Sequence, residues 1–597
     1  MNYLSRFSRK PHLSVLCVLT LGLIISLSAC APSAPSAQEA AALGQFVGQL
    51  DGQGDLSAPA GEMKTLAVIT ISSYQKLLGN VSFLGSLAGM AQADKIVEAQ
   101  LLQMIQDQGL AAIDKAKPWG IVLQSDGMSF VPLAVFPVAQ PDALFTVLEA
   151  NGIRANAAVD GVRELTLPNG MSAFAKSDGG WTLIGDSPQA FARVPATLNA
   201  DLAALAADYD IAARVLVQNV PPLAQQMILG WVRSGAETAL QPRPGESDEA
   251  VAARRQAAEA QMNQMEQAIQ EVDKLTVGMK IDAVQKRGHF DVVVEVVPGS
   301  GLAKQMQDQG EPRTNFAGFR AADAAATFCF VSKLDPAAVE QMKGNRDDLI
   351  QQMNAAIESD ENLPAAIRET AKSAAGDILD AFMATAESGK IDGGGALRIA
   401  PDSLSFVAGA RIKDTDKFVS GLRKMEAAVK QQAPEAPGIH WNATEHAGVK
   451  FHTLSVPLPP NADESIRRML GGDLAVAIGI GEETAYIAVG RDHLAAVNKA
   501  IDASRAEPNK LVPQFEVAIS LQPIVALAAT HADNPEAQMS LQMMSAALQA
   551  GPAGNDHLRM IGQTFLNGQR VRFEAEESAM RAVGQVVFMT IMRGMAR

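Results

Sequence analysis

The sequence predicts an α+β protein made of two tandem duplicated units, each an antiparallel sheet with helices packed on one face. Three observations predict it: ordered self-similarity between the halves, strand runs of period two, and amphipathic stretches rich in Ala, Met and Gln between them.

The self-similarity begins with Leu66–Ser72, a strand-like run leading into helical sequence, which is answered by Ala326–Ser332. Asp126-Gly127-Met128-Ser129-Phe130-Val131 then matches Asp402-Ser403-Leu404-Ser405-Phe406-Val407, and each is followed by a strand and a helix starting near Asp142 and Asp416. Gly161-Val162-Arg163 answers Gly448-Val449-Lys450, and Trp181–Gly185 answers Tyr486–Gly490. Tyr209–Ala212 answers Phe515–Ala518, Asp273-Lys274-Leu275 answers Asp556-His557-Leu558, and turns at Gly288 and Gly568 lead into closing strands. Any one match is weak. Seven in one order are hard to obtain by chance.

Leu275, Val277, Met279 and Ile281 alternate with polar or small neighbours, as do Phe290, Val292, Val294 and Val296. This is the period of a half-buried antiparallel sheet. Arg287-Gly288 and Asn567-Gly568 supply residues that tight hairpins need. The first unit carries an inserted long helix at 247–272, with Ser247-Asp248-Glu249 as its cap and Met262, Met265 and Ile269 at helical spacing. The expected division is a signal peptide at 1–29, a lipidated cysteine and flexible tether at 30–60, the first unit at 61–310 and the second at 311–597.

The N-terminus carries Arg6, Arg9 and Lys10 and no acid before an apolar run from Leu13 to Leu27. About 15 helical residues cover roughly 22 Å, short of a roughly 30 Å hydrocarbon core, so the run reads as a signal-peptide segment rather than a span. Leu27-Ser28-Ala29-Cys30 resembles the bacterial lipobox. That resemblance implies cleavage before Cys30 and lipidation of Cys30; Ala rather than Asp at position 31 favours the outer membrane, facing the periplasm. Ala31-Pro32-Ser33-Ala34-Pro35-Ser36-Ala37 has nothing to bury and reads as a solvated tether.

A formal charge of −15 over 597 residues argues against nucleic acid and anionic head groups as partners. With Cys17 in the signal segment and Cys30 acylated, Cys329 has no intramolecular disulfide partner, and Thr327–Val331 around it reads as a buried strand.

The candidates for chemistry are few. His440, His446 and His452, with Glu445 and Trp441, lie on a loop and hairpin, yet residues six apart on a strand stand about 20 Å apart. Gly393-Gly394-Gly395 lacks the strand–loop–helix order of a phosphate site and reads as a turn or bulge before a strand. Ile478-Gly479-Ile480-Gly481 leads into Glu482-Glu483-Thr484, a hairpin turn rather than the opening of a helix. No catalytic, cofactor-binding or metal residue is expected, and no cofactor.

Lys117–Gln124, Ser177–Trp181 and Tyr209–Pro222 resemble a group of secreted proteins of planctomycete bacteria, mainly over residues 64–300. The group carries no assigned activity, so the resemblance implies architecture and no site residues. The expected function is a membrane-anchored envelope lipoprotein, non-enzymatic, binding or structural, with a hydrophobic ligand held between sheet and helices. The alternatives are a scaffold docking another envelope component and a metal-dependent hydrolase around His440, His446 and Glu445.

Overall fold

The computed structural model describes residues 63–585, apart from 105–111, 231–250, most of 252–268, 360–363 and scattered positions in runs of one to three. The expected signal peptide, Cys30, the tether and most of the inserted helix at 247–272 lie outside the described residues.

The first half supplies β1 (Lys64–Ile71), β2 (Trp119–Ser125), β3 (Phe130–Pro137), β4 (Arg154–Ala155), β5 (Val162–Thr166), β6 (Ser172–Asp178), β7 (Trp181–Gly185), β8 (Ile211–Leu216), β9 (Val272–Asp282) and β10 (Arg287–Val296). The second half supplies β11 (Arg313–Thr314), β12 (Ala326–Lys333), β13 (Lys390–Ala400), β14 (Ser403–Arg411), β15 (His440–His446), β16 (Val449–Pro457), β17 (Asp473–Ile480) and β18 (Thr484–Gly490). It ends with β19 (Lys510–Leu511), β20 (Phe515–Ser520), β21 (His557–Phe565) and β22 (Gly568–Glu576). Among the described residues only β11 and β19 stand apart, as a small pair.

In space the first ten strands run β4-β5-β6-β7-β3-β2-β1-β8-β9-β10. The others run β15-β16-β17-β18-β14-β13-β12-β20-β21-β22. The rows meet where β10 pairs with β22 from Arg287↔Glu576 to Glu295↔Gly568. All pairings are antiparallel, and the two sheets expected from the sequence are one sheet of 20 strands among the described residues.

Helices cover both faces, not one. Helix Leu198–Asp208 lays Leu198, Leu202 and Leu205 on Val68, Val122 and Leu133. Helix Pro141–Ala150 sets Phe145 against Leu165, Ala175 and Ile184. Val122 pairs with Leu133, while Ile184 pairs with the neighbouring Ala134, so these helices lie on opposite faces. In the second half, helix His493–Ala506 packs Val497, Ala500 and Ile501 on Ala396, Val407, Ala477 and Ala488. The helix expected near Asp416 is Thr415–Gln432, with Asp414 accepting the Lys417 amide as its cap.

Glycines in the strands have a steric reason. Gly393, Gly394 and Gly395 are neither turn nor bulge; they lie within β13 in unbroken register with β14. Phe330 pairs with Gly393 and Phe328 with Gly395, and each ring lies where a partner side chain would stand. Phe515 with Gly562, Phe451 with Gly479, Phe565 with Gly568 and Tyr486 with Gly409 repeat the arrangement. An absent Cβ leaves the floor on which the ring lies. For the same reason the last hairpin turns through Leu566 and Asn567 rather than Asn567-Gly568, because Gly568 is already paired beneath Phe565. The β9–β10 hairpin likewise turns before Arg287, with Lys286 at φ 55°.

Gly562→Ala tests this packing. Its Cβ would stand 2.0 Å from Cε1 of Phe515. The variant should lose about 1–3 kcal/mol in urea unfolding, and adding Phe515→Leu should return part of that loss.

Candidate functional site

The centre of the sheet sorts its side chains by parity. On β9, β10 and β22, Thr276, Asp291, Arg570, Arg572, Glu574 and Glu576 point to one face, while Val277, Met279, Phe290, Val292, Val571 and Phe573 point to the other.

The polar face is bound by ion pairs across the joint between the halves. Asp291 is fully buried and accepts from Nε and Nη2 of Arg572, each at 2.8 Å. It also meets Arg570 Nε at 3.6 Å and accepts the Tyr209 hydroxyl at 3.2 Å. Burial, with the Asp291 charge adding to it, pushes the Tyr209 hydroxyl up to about 12. One rung on, Arg287 of the first half reaches Glu574 at 3.3 Å and Glu576 at 3.7 Å. Arg559 and His557 hold Glu576 from the other side at 3.0 and 2.9 Å. At the far end of β9, buried Asp210 takes Lys76 at 2.7 Å, Asn80 at 2.8 Å and the Ile281 amide at 2.6 Å.

The apolar face is bare. Ile121, Ile69, Ile211, Met279, Phe290 and Phe573 keep between 37 % and 47 % of their surface exposed. Register makes them neighbours: Ile121 pairs with Ile69, and Ile211, Met279, Phe290 and Phe573 pair strand by strand. Ile71, two residues from Ile69 on the same face, pairs with Ile211 and closes the gap between the two groups. The result is one apolar strip across β2, β1, β8, β9, β10 and β22. Isolated exposed apolar residues are ordinary; a contiguous row of them across six strands makes this face the candidate surface. The residues on β9 and β10 stood out in the sequence for their alternation, but what marks the site is the opposite parity of charges on β22, where Arg570, Arg572, Glu574 and Glu576 alternate with Val571, Phe573 and Ala575.

The three histidines weighed as a metal site stand on separate partners. His440 stands opposite Thr453 on the outermost strand. His446 Nε2 lies 2.7 Å from Asp502 of helix His493–Ala506. His452 is buried, accepts the Asn442 amide at Nδ1 at 2.9 Å, and meets the Trp441 ring at a tilt of 53° with ring centres 4.6 Å apart. Trp441 in turn donates to Glu426 and lies beneath the Arg423 guanidinium, 4.3 Å away. Glu445 pairs in register with Lys450. Among the described residues no group of three or more His, Cys, Asp or Glu could hold a metal ion. Cys329 is buried in β12, as the sequence suggested, and desolvation pushes its thiol up to about 11. A surface cleft between Lys343, Arg346, Asp380 and Lys417 has these charges joined in ion pairs, Asp380 taking Arg346 at 2.7 Å and Lys417 at 2.6 Å. No helix among the described residues is long and apolar enough to cross a membrane.

Fold and site together define an α+β protein whose continuous antiparallel sheet is ion-paired on one central face and bare and apolar on the other. Comparison with known proteins yields no relative: no family model matches the chain, and no curated protein or solved structure matches it.

Three outcomes follow from this geometry. Asp291→Ala should cost about 2–3 kcal/mol in urea unfolding, below the ~3–5 kcal/mol of a fully buried pair because both guanidiniums reach water; Asp291→Asn should lose less. Cys329 should resist iodoacetamide in the native protein and react fully in 6 M guanidinium, since burial and the raised pKa both suppress the thiolate. Desolvation, then Arg423 and Lys450, holds His452 below the usual histidine range. The unfolded chain therefore takes up this proton first. The His452 contribution to stability is intact above about pH 6.5 and declines as pH falls below that value. The pH 7-to-5 drop in melting temperature should be smaller in His452→Gln.

Proposed function

We propose that the protein is a bacterial envelope lipoprotein, anchored by acyl chains on Cys30, whose non-catalytic body holds a hydrophobic ligand on the bare face of its sheet. The apolar strip carries this reading. An exported protein with six large apolar side chains open in adjacent strands has a surface suited to an apolar partner. The basic N-terminus, the short apolar run and Leu27-Ser28-Ala29-Cys30 support the anchor, and Ala31 favours the outer membrane with the body in the periplasm. The resemblance of Lys117–Gln124, Ser177–Trp181 and Tyr209–Pro222 to secreted planctomycete proteins fits the same compartment.

The body is read as a tandem duplication because the spatial order of strands in each half is the same when counted along the chain, apart from the small pair β11 and β19. The first strand of each half lies between the second and the eighth of its row; the third pairs with the seventh. A non-enzymatic role fits His446 and His452, each engaged by a different structural partner. The reading as a metal-dependent hydrolase has no geometric support at His440, His446 and Glu445, and the scaffold reading would need a broader surface than the strip.

Growth with radiolabelled palmitate should label the wild-type protein and not Cys30→Ser, and the variant should leave the membrane fraction. Identical fractionation would overturn the anchor. Full-length protein purified in a lipid-free detergent should yield, on solvent extraction and mass spectrometry, a lipid beyond the acyl groups on Cys30. Its absence would overturn the ligand.

A further inference from the structure

Building on the reading of a ligand-holding envelope protein, we infer that the strip is a track for one extended acyl chain of a free lipid, lying across the strands from Ile121 to Phe573. Six strands at about 4.8 Å spacing give a track about 24 Å long. Both ends are set by the structure. Beyond Phe573 the same rung continues through Met560, Val517 and Phe328, which are only partly exposed. Beyond Ile121 it meets the small Ala134 and then Ile184, which helix Pro141–Ala150 covers through Phe145.

Width and chemistry select the occupant. Residues on one face repeat every ~7 Å along a strand, and the rung beside Met279 and Phe290, made by Val277 and Val292, is less exposed. At Met279 and Phe290 the open surface is thus one side chain wide, narrower than the ~10 Å of a helix. The strands use their backbone groups in the ladder, and Ile121, Ile69, Ile71, Ile211, Met279, Phe290 and Phe573 offer no hydrogen-bonding atom. An extended peptide laid there would leave its own amides and carbonyls unsatisfied, whereas a polymethylene chain has none to satisfy. A strip ~24 Å by ~7 Å, about 170 Å², falls far short of the ~800 Å² per partner of a stable protein interface. The charges of β22 are all on the reverse face, so that strand brings no charged group to the border of the strip.

Trp119 reports on the track, since it pairs with Ile71 on the same face. Titrating the full-length protein with 9,10-dibromostearate should quench tryptophan fluorescence saturably, and Trp119→Phe should remove most of that quench. Met279→Lys and Phe290→Lys replace exposed side chains, so the fold should survive, as melting curves will check; each should weaken quenching at least tenfold. Leu275→Ser, on the same face two rungs away, should bind as wild type.

Wild-type affinity in both lysine variants would overturn the track while leaving a ligand-holding protein in place. No quench in a protein that still yields extractable lipid would do the same. No quench and no lipid would overturn both. A quench seen only in Cys30→Ser would put the protein's own acyl group on the strip and exclude a free lipid. A dimer in sedimentation that Phe290→Lys breaks would make a second copy the occupant.

Discussion

The pairing of β10 with β22 is the constraint from which the rest of the architecture follows. Each row of ten strands would otherwise end in a long open edge, with unpaired amides and carbonyls along most of Arg287–Val296 or Gly568–Glu576. Open edges of that length template association with other chains. Joining the two rows removes both at once. It also buries Asp291 against arginines contributed by the other half of the chain, so neither half satisfies its own charges alone. A buried carboxylate without those guanidiniums would be strongly destabilising. The joint is therefore selective as well as adhesive: a slip of one residue would bring Asp291 to the apolar face and Phe290 among the arginines.

The ion-paired seam explains why the opposite face is apolar. Alternation leaves each strand one parity for charge and one for hydrocarbon. Once Asp291, Arg572, Glu574 and Glu576 occupy one side, Phe290, Val292, Val571 and Phe573 must occupy the other. The two halves then treat that face differently. In the second half, Phe328, Phe330 and Phe515 lie flat over Gly395, Gly393 and Gly562, so aromatic surface is folded down onto the sheet. In the first half, isoleucine and methionine pair with side chains of their own kind, and Phe290 faces Phe573 with ring centres 6.4 Å apart. Side chains supported on both flanks stand up from the sheet and stay accessible.

Much of the strand content was legible in the sequence because it depends on local alternation and turn chemistry. Leu66–Ser72 and Ala326–Ser332 fall in β1 and β12 or at their ends, Trp181–Gly185 is β7, and Glu482-Glu483 is the turn before β18. Long-range features were not legible. Nothing within β13 announces that Gly393 and Gly395 lie under rings 63 and 67 residues earlier in the chain, so the run reads locally as a turn. The partner of Asp291 lies 281 residues away, which hides the fusion of the two sheets. Periodicity found the apolar rows on β9 and β10 correctly. It could not tell which face helices would cover, because that depends on where Phe145, Leu202 and Val497 come to rest.

A bare apolar surface on a sheet face differs in kind from one on a sheet edge. An edge offers hydrogen bonds to any extended chain and grows by adding strands. A face has its backbone groups committed to the ladder, so it attracts hydrocarbon without templating a polypeptide. Leaving Phe290 and Met279 partly in water forfeits some of the ~1.5–3 kcal/mol that full burial of each would contribute. That loss is borne in the one place where the fold has no alternative, since the reverse face of the same strands is taken by charges that must pair. The ionic seam and the open strip are thus one arrangement viewed from its two sides, and the apolar surface is open because the joint between the halves is electrostatic.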